Sequence, residues 1–224
     1  MGAITFGIPE KEAVFLKDLL KLSVFVETGT YRGGTALKMS KYFRRIYTIE
    51  KSEKLYKYCQ KKLNKVSNIT TIFGDSRDIL PGILEKEDNI LFWLDAHWSG
   101  GETYGEKDEC PLLYELNIIQ RYYKTKNYAV LIDDARYFLA PPPYPHNFKH
   151  WPTIIDVLKL VPTEFQEVII YNDVIYIFPK RYSNYFRQFL QSIITHEITK
   201  RKNIFSYLKL MIKKLLYKIG YDKL

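Results

Sequence analysis

The chain has 224 residues, 46% of them hydrophobic, which suffices for one substantial core, and it holds no Gly/Ser-rich linker that a second independent domain would need. Its net charge of +9 is local: from Lys180 to Leu224, 11 Lys and Arg stand against 2 acidic residues, leaving 23 basic and 23 acidic residues in the first 179. A neutral body argues against nucleic acid as a partner, two cysteines (Cys59 and Cys110) argue against a disulfide framework or a zinc site, and no apolar run is long enough to span a bilayer.

Glu10–Leu22 has a helical apolar period and leads into a strand, Val24–Thr28. A turn with three glycines follows, then a helix over Thr35–Tyr42. "RIYTIE" (Arg45–Glu50) alternates and ends in a carboxylate. Ser52 is placed to cap the next helix, "EKLYKYCQKKL". Further strands are read at Ile69–Asp75, Asn89–Asp95 and Tyr128–Asp134, each ending in an acid. Strands apolar on both faces and alternating with helices indicate a parallel sheet covered on each side. "FQEVIIYNDVIYIFPK" breaks that rhythm and reads as an antiparallel hairpin turning at "YND". Pro141–Pro143 is the single low-complexity patch.

Ligands of open α/β sheets bind beyond the C-terminal strand ends, where strand order reverses. Glu27, Glu50, Asp75, Asp95 and Asp133/Asp134 should therefore gather at one rim. The dinucleotide fingerprint fails because Tyr31 stands two after Gly29. Instead Glu27, Gly29, Gly33 and Gly34 form a wider loop beside a carboxylate, suited to a cofactor bearing an ammonium group. Glu50 is able to accept from two ribose hydroxyls and Asp75 from an adenine amine. With these residues and the hairpin, the chain resembles the S-adenosylmethionine-dependent methyltransferases of the Rossmann-like type over about residues 10–180.

The resemblance implies a Rossmann-like three-layer α/β sandwich: a mostly parallel seven-stranded sheet with an antiparallel edge hairpin, here followed by C-terminal basic helices. It implies cofactor contacts from Glu27, Thr28, Gly29, Thr30, Tyr31, Gly33, Gly34, Thr35, Glu50, Asp75, Ser76 and Asp95. The expected domains are residues 1–180, the methyltransferase domain, and 181–224, a basic amphipathic helical extension.

If the fourth strand stays extended, Asp95 and His97 face the same side. With Asp133 and Asp134 beside them, three carboxylates and an imidazole form a hard, oxygen-rich site that selects Mg2+, Mn2+ or Ca2+ over Zn2+. This resembles the metal-dependent O-methyltransferases, catechol-type and macrolide or aminocoumarin sugar enzymes among them, and implies Asp95, Asp133 and Asp134 as ligands of Mg2+ or Mn2+. Coordination lowers a hydroxyl pKa and aligns the oxygen, leaving His97 and Asp95 as the catalytic pair, with His97 the base. The insertion Trp98–Cys110 departs from the catechol-type pattern and should reshape the pocket. "SGGETYGEKDE" has the glycines of a lid, and Tyr137, Tyr144, His146 and Trp151 are candidates for an acceptor wall.

In the tail, Ile204, Leu208, Met211, Leu215 and Ile219 fall at helical spacing among Lys209, Lys213 and Lys218. Such a helix suits an anionic membrane surface, and equally a partner subunit or the chain's own body. The expectation is a cytoplasmic O-methyltransferase, peripheral at the inner membrane face, acting on a hydroxyl of a sugar or related polyol, with room for a homo-oligomer. Two alternatives stand beside it: a metal-independent enzyme with His97 acting directly on a small aromatic or nitrogen acceptor, and a non-catalytic module docking partners through its tail.

Overall fold

A computed structural model describes residues 7–100, 103, 105 and 108–218; the side chains of 201–210 and 212–218 are outside that description. Along it run α1 (Glu10–Leu20), β1 (Val24–Thr28), α2 (Gly34–Met39), β2 (Arg45–Glu50), α3 (Glu53–Leu63), β3 (Ile69–Phe73), α4 (Ser76–Lys86) and β4 (Ile90–Leu94). Then come α5 (Leu112–Gln120), β5 (Tyr128–Ile132), α6 (Arg136–Leu139), α7 (Ile154–Lys159), β6 (Gln166–Tyr171), β7 (Val174–Pro179) and α8 (Ser183–Lys218).

The strands form one seven-stranded sheet in the order β3-β2-β1-β4-β5-β7-β6. The first five pair in parallel, while β7 runs antiparallel to β5 and to β6. This is the expected Rossmann-like sandwich with its reversed edge hairpin. Every residue of β1, β4 and β5 is buried, which is why these runs are apolar on both faces instead of alternating. Phe92, Tyr128, Val130 and Ile177 lie in the core cluster of this sheet, and α3 packs on β2 and β3. Full burial of each such side chain contributes roughly 1.5–3 kcal/mol.

Strand order turns back between β1 and β4, so the crevice for a ligand opens at their C-terminal ends. Gly29 makes the crossing there. Its φ is 84°, and a Cβ on it would overlap the backbone carbonyl of Asp95, so no side chain fits. The strands are shorter than the sequence suggests: β3, β4 and β5 stop at Phe73, Leu94 and Ile132, and the acids follow in the turns. Asp134 itself is left-handed, with φ 56°. Two helices also end early. α1 stops at Leu20 because Lys21 turns left-handed (φ 56°), and α2 covers Gly34–Met39.

The described chain divides into two compact units between Ser183 and Asn184. α8 is a single 36-residue helix. Of the stripe Ile204, Leu208, Met211, Leu215 and Ile219, only Met211 has a described side chain, and it is half exposed. The side chains of Lys209, Lys213 and Lys218, and all of Ile219, lie outside the described residues. Among the described residues no helix is long and apolar enough to cross a membrane.

Gly29→Ala forces both an unfavourable φ and a backbone clash, and should destabilise the fold by about 2–4 kcal/mol. Thermal unfolding should register this as a fall of roughly 6 °C or more. An unchanged melting temperature would mean that the β1–β4 crossing relaxes freely.

Candidate active site

A cavity of about 550 Å³ opens where the strand order reverses, within the size range of small-molecule sites. Gly29, Glu50, Asp75, Asp95 and His97 all line it, together with Tyr31, Ser76 and Arg77. The ends of four strands, β1 to β4, thus converge on it, though not every expected residue faces the space. Glu27, Thr28, Thr30, Gly33, Gly34 and Thr35, expected around the cofactor, are not among the lining residues, and neither are Asp133 and Asp134.

Glu50 is buried, and backbone groups hold it. Tyr31 N–H donates to its Oε2 (2.9 Å) and Ser52 N–H to its Oε1 (2.8 Å). Burial raises its pKa against these donors. Its orientation is set before any ligand arrives. Tyr31 reaches this position with φ 48°, and its ring is half exposed at the cavity.

Asp75 has a structural task the sequence reading did not assign. It is the N-cap of α4, accepting from Arg77 N–H, and its oxygens also pair with the Arg77 guanidinium and with Lys51 Nζ (2.6 Å). Burial opposes ionisation, yet the Arg77 and Lys51 bonds hold this carboxyl well below the usual range. Arg77 reaches on to Asp108 (2.6 Å), tying α4 to the β4–α5 connection. Of the expected lid "SGGETYGEKDE", residues 101, 102, 104, 106 and 107 lie outside the described residues, while Ser99, Gly100, Thr103, Gly105 and Asp108 line the cavity.

Glu27 stands behind the Gly29 crossing. Thr48 Oγ1 donates to its Oε2 (2.5 Å), and Thr48 also bonds Thr30 (2.6 Å). Burial, with the nearby charges of Asp95 and Glu50, outweighs the Thr48 and Thr35 hydroxyls and pushes its pKa up to about 8. Glu115, on α5, was not anticipated from the sequence. It is also buried, its Oε1 has no hydrogen-bond partner, and burial pushes it up to about 7. Both carboxyls thus hold their protons further up the pH scale than a free carboxyl does, because burial in an apolar setting disfavours the charged form.

β4 ends at Leu94, before both residues, but His97 still meets Asp95. Its Nδ1 is 3.7 Å from Asp95 Oδ1, and its Nε2 is 2.9 Å from Asp134 Oδ2. Arg136 Nη1 lies 2.8 Å from the other oxygen, Asp134 Oδ1. Asp133 accepts from the backbone of Asp134 (2.8 Å). Burial disfavours the His97 imidazolium, but the Asp134 bond and the charges of Asp95, Asp134 and Asp133 win and raise its pKa. Burial, against the His97 charge and with the Asp134 charge, pushes Asp95 up to about 6. It likewise pushes Asp133 up to about 7.

Among the described residues, no group of three or more His, Cys, Asp or Glu side chains is arranged to hold a metal ion. The set Asp95, Asp133 and Asp134 does not fit a divalent ion as it stands. Asp134 gives one oxygen to an imidazole and the other to a guanidinium, so His97 and Arg136 supply the positive charge expected from an ion.

The expected acceptor wall packs largely on itself. The Trp151 ring contacts those of His97 (5.2 Å), Tyr137 (5.2 Å) and His146 (5.4 Å), and Trp98 meets His146 edge-on at 5.4 Å. At its centre is a residue that sequence reasoning missed, Glu109, which is 1% exposed. It accepts from Trp151 Nε1 (2.7 Å) and Asn147 N–H (2.7 Å) and lies 3.0 Å from His146 Nδ1. Tyr144, by contrast, is 96% exposed and belongs to no wall.

No protein-family profile matches the chain, and no curated protein matches it in sequence. Solved structures do match its fold. The S-adenosylhomocysteine-bound methyltransferase PaMTH1 of Podospora anserina is 17% identical with a TM-score of 0.57, over 79% of this chain and 80% of that one. An O-methyltransferase from Bacillus cereus, in complex with S-adenosylhomocysteine, is 13% identical with a TM-score of 0.52 over 78% and 83%. TomG of Streptomyces achromogenes, an O-methyltransferase of tomaymycin synthesis in complex with S-adenosylmethionine, is 12% identical with a TM-score of 0.51 over 79% and 82%. The fold is therefore that of the Rossmann-like S-adenosylmethionine-dependent methyltransferases.

The raised pKa of Glu27 has a signature in stability. The folded chain keeps a proton that the unfolded chain releases near pH 4.5, so this contribution is complete below about pH 4.5 and is lost as pH rises to about 8. Glu27→Gln keeps an oxygen for Thr48 and removes the titration. At pH 8 its melting temperature should exceed the wild type's by about 3 °C or more, and the gap should close at pH 5. A gap independent of pH would show that Glu27 does not titrate abnormally.

Proposed function

We propose that the chain is an S-adenosylmethionine-dependent O-methyltransferase whose acceptor is a hydroxyl of a sugar or related polyol. The observation that carries this reading is one cavity, at the strand-order reversal, lined at once by Gly29, Glu50, Asp95 and His97. The acidic, glycine-floored lining fits a ligand with an ammonium group and vicinal hydroxyls, and the matching structures bound to S-adenosylmethionine or its product support that choice. The sugar preference rests on the family resemblance.

When bound, S-adenosylmethionine supplies an electrophilic methyl group on sulfur. The chain's part is to place two partners and move one proton. Glu50, fixed by two backbone N–H groups, accepts ribose hydroxyls, and Gly29 lets the β1 turn pass close against Asp95, which brings both turns to the cavity. His97 takes the acceptor's proton at the imidazole nitrogen not held by Asp134, and Asp134 then stabilises the imidazolium. Because the neighbouring acids raise its pKa, His97 holds its proton further up the pH scale than a free imidazole, and the working base form grows as pH rises. The basic tail holds the enzyme against an anionic membrane surface, near a glycan acceptor.

Calorimetric titration with S-adenosylhomocysteine should give saturable one-to-one binding that Glu50→Ala loses. His97→Gln should retain binding while turnover of a hydroxyl acceptor falls at least about 100-fold, as expected for loss of a general base. Wild-type turnover should climb from pH 6 toward pH 8, a limb absent from the variant. No saturable binding would end the methyltransferase reading.

A further inference from the structure

An acidic rim this dense requires positive charge, and the chain provides it from an unexpected place. Asp134 Oδ2 faces His97 Nε2 at 2.9 Å and its Oδ1 faces Arg136 Nη1 at 2.8 Å, so each carboxylate oxygen has its own partner and the lasting positive charge is that of Arg136. Arg136 is in turn held on three sides. Its backbone N–H donates to Asp173 Oδ1 (2.8 Å), its guanidinium pairs with Asp173 Oδ2, and its Cζ lies 4.3 Å from the centre of the Tyr137 ring. Asp173 belongs to the turn between β6 and β7, where Asn172 and Asp173 are both left-handed (φ 47° and 66°), and its carbonyl accepts from Ala135 N–H (2.9 Å). The edge hairpin therefore reaches back to the end of β5.

We propose that Arg136, pinned by Asp173, is a positioning residue that serves as the site's built-in cation: it stands at Asp134 where a divalent ion would otherwise bind and keeps that carboxylate aligned on His97. The inference rests on the reading of His97 and Asp134 as the proton-handling pair, but its geometry and its metal readout do not depend on turnover. A guanidinium suits the task because one terminal nitrogen, Nη1, faces both carboxylates, and its charge persists at every working pH. The hairpin turn supplies the second carboxylate, which holds both the backbone N–H and Nη1 of Arg136.

The test compares the full chain with Arg136→Gln, Arg136→Lys and the double variant Arg136→Gln/Asp134→Asn, using Mn2+ as the probe in an electron paramagnetic resonance titration. S-Adenosylhomocysteine binding and circular dichroism check that each is folded. Wild type should show no stoichiometric Mn2+ site and lose no turnover to EDTA. Arg136→Gln should gain one Mn2+ site, about 10–100-fold tighter than any wild-type binding, and the double variant should lose it. In metal-free buffer Arg136→Gln should turn over about 10–100-fold more slowly, with partial recovery on adding Mn2+. Arg136→Lys, which keeps the charge, should recover most of the lost rate and gain no Mn2+ site.

A tight one-to-one Mn2+ site in wild type, removed by Asp134→Asn, would overturn the proposal. So would an Arg136→Gln protein matching wild type in both titration and rate. Should wild type methylate nothing, the function above would fall, and the Mn2+ titration would still decide this inference.

Discussion

A parallel sheet buried on both faces directs all its strand ends to one rim, and here that rim carries an acid at each of five strands. Carboxylates placed together in a low dielectric repel, and each must be neutralised, hydrogen-bonded or paired. The chain uses a different remedy at each position. Glu50 takes two backbone N–H groups, Asp75 takes Arg77 and Lys51, and Glu27 keeps its own proton beside Thr48. Asp95 and Asp134 share His97, and Asp134 takes Arg136 as well. The differences leave some acids ionised and others neutral within one cavity neighbourhood, and such separation is what lets neighbouring carboxyls serve different purposes.

How much of this could be read from the sequence depended on how local the cause was. Apolar runs ending in acids marked β1 to β5 because burial on both faces leaves a compositional trace, and "YND" marked the hairpin because a tight reversal needs residues that tolerate left-handed backbone. The strand ends were read one or two residues long because an acid just past a strand looks the same in sequence as one at its last position; the turn at Asp134 and the cap at Asp75 decide otherwise. The Asp75 cap was legible in principle, since Asp before a helical run is a common N-cap. Arg136–Asp173 and Glu109–Trp151 were not, since they join residues 37 and 42 positions apart and leave no periodic mark.

The aromatic segment after β5 shows the same limit from another side. Tyr137, His146 and Trp151 do assemble near His97, as a wall would. What brings them together is Glu109, whose ionised form is favoured by Asn147, Trp151 and His146 even though burial resists it. A buried carboxylate held by the Trp151 and Asn147 N–H groups is costly to break, because each buried donor would lose its partner. The wall is therefore a rigid polar-centred cluster, and its order comes from an acid that composition would place on the surface.

Chains only 12–17% identical to this one share its fold, so the fold persists while most side chains differ. The crossing depends on backbone shape: a glycine at φ 84° lets Asp95 follow β4 against the β1 turn. The charge wiring above it depends on side chains, and can be rebuilt without disturbing the sheet. A divalent ion and a guanidinium are alternative solutions to the same repulsion, differing in that the ion must be acquired and the guanidinium is already folded in place. Arg136 requires an acid on a neighbouring turn to hold it, and Asp173 meets that need only because β7 runs antiparallel beside β5 and brings the hairpin turn to that end of the sheet. The reversed edge strand is thus part of the site's electrostatics as well as of its fold.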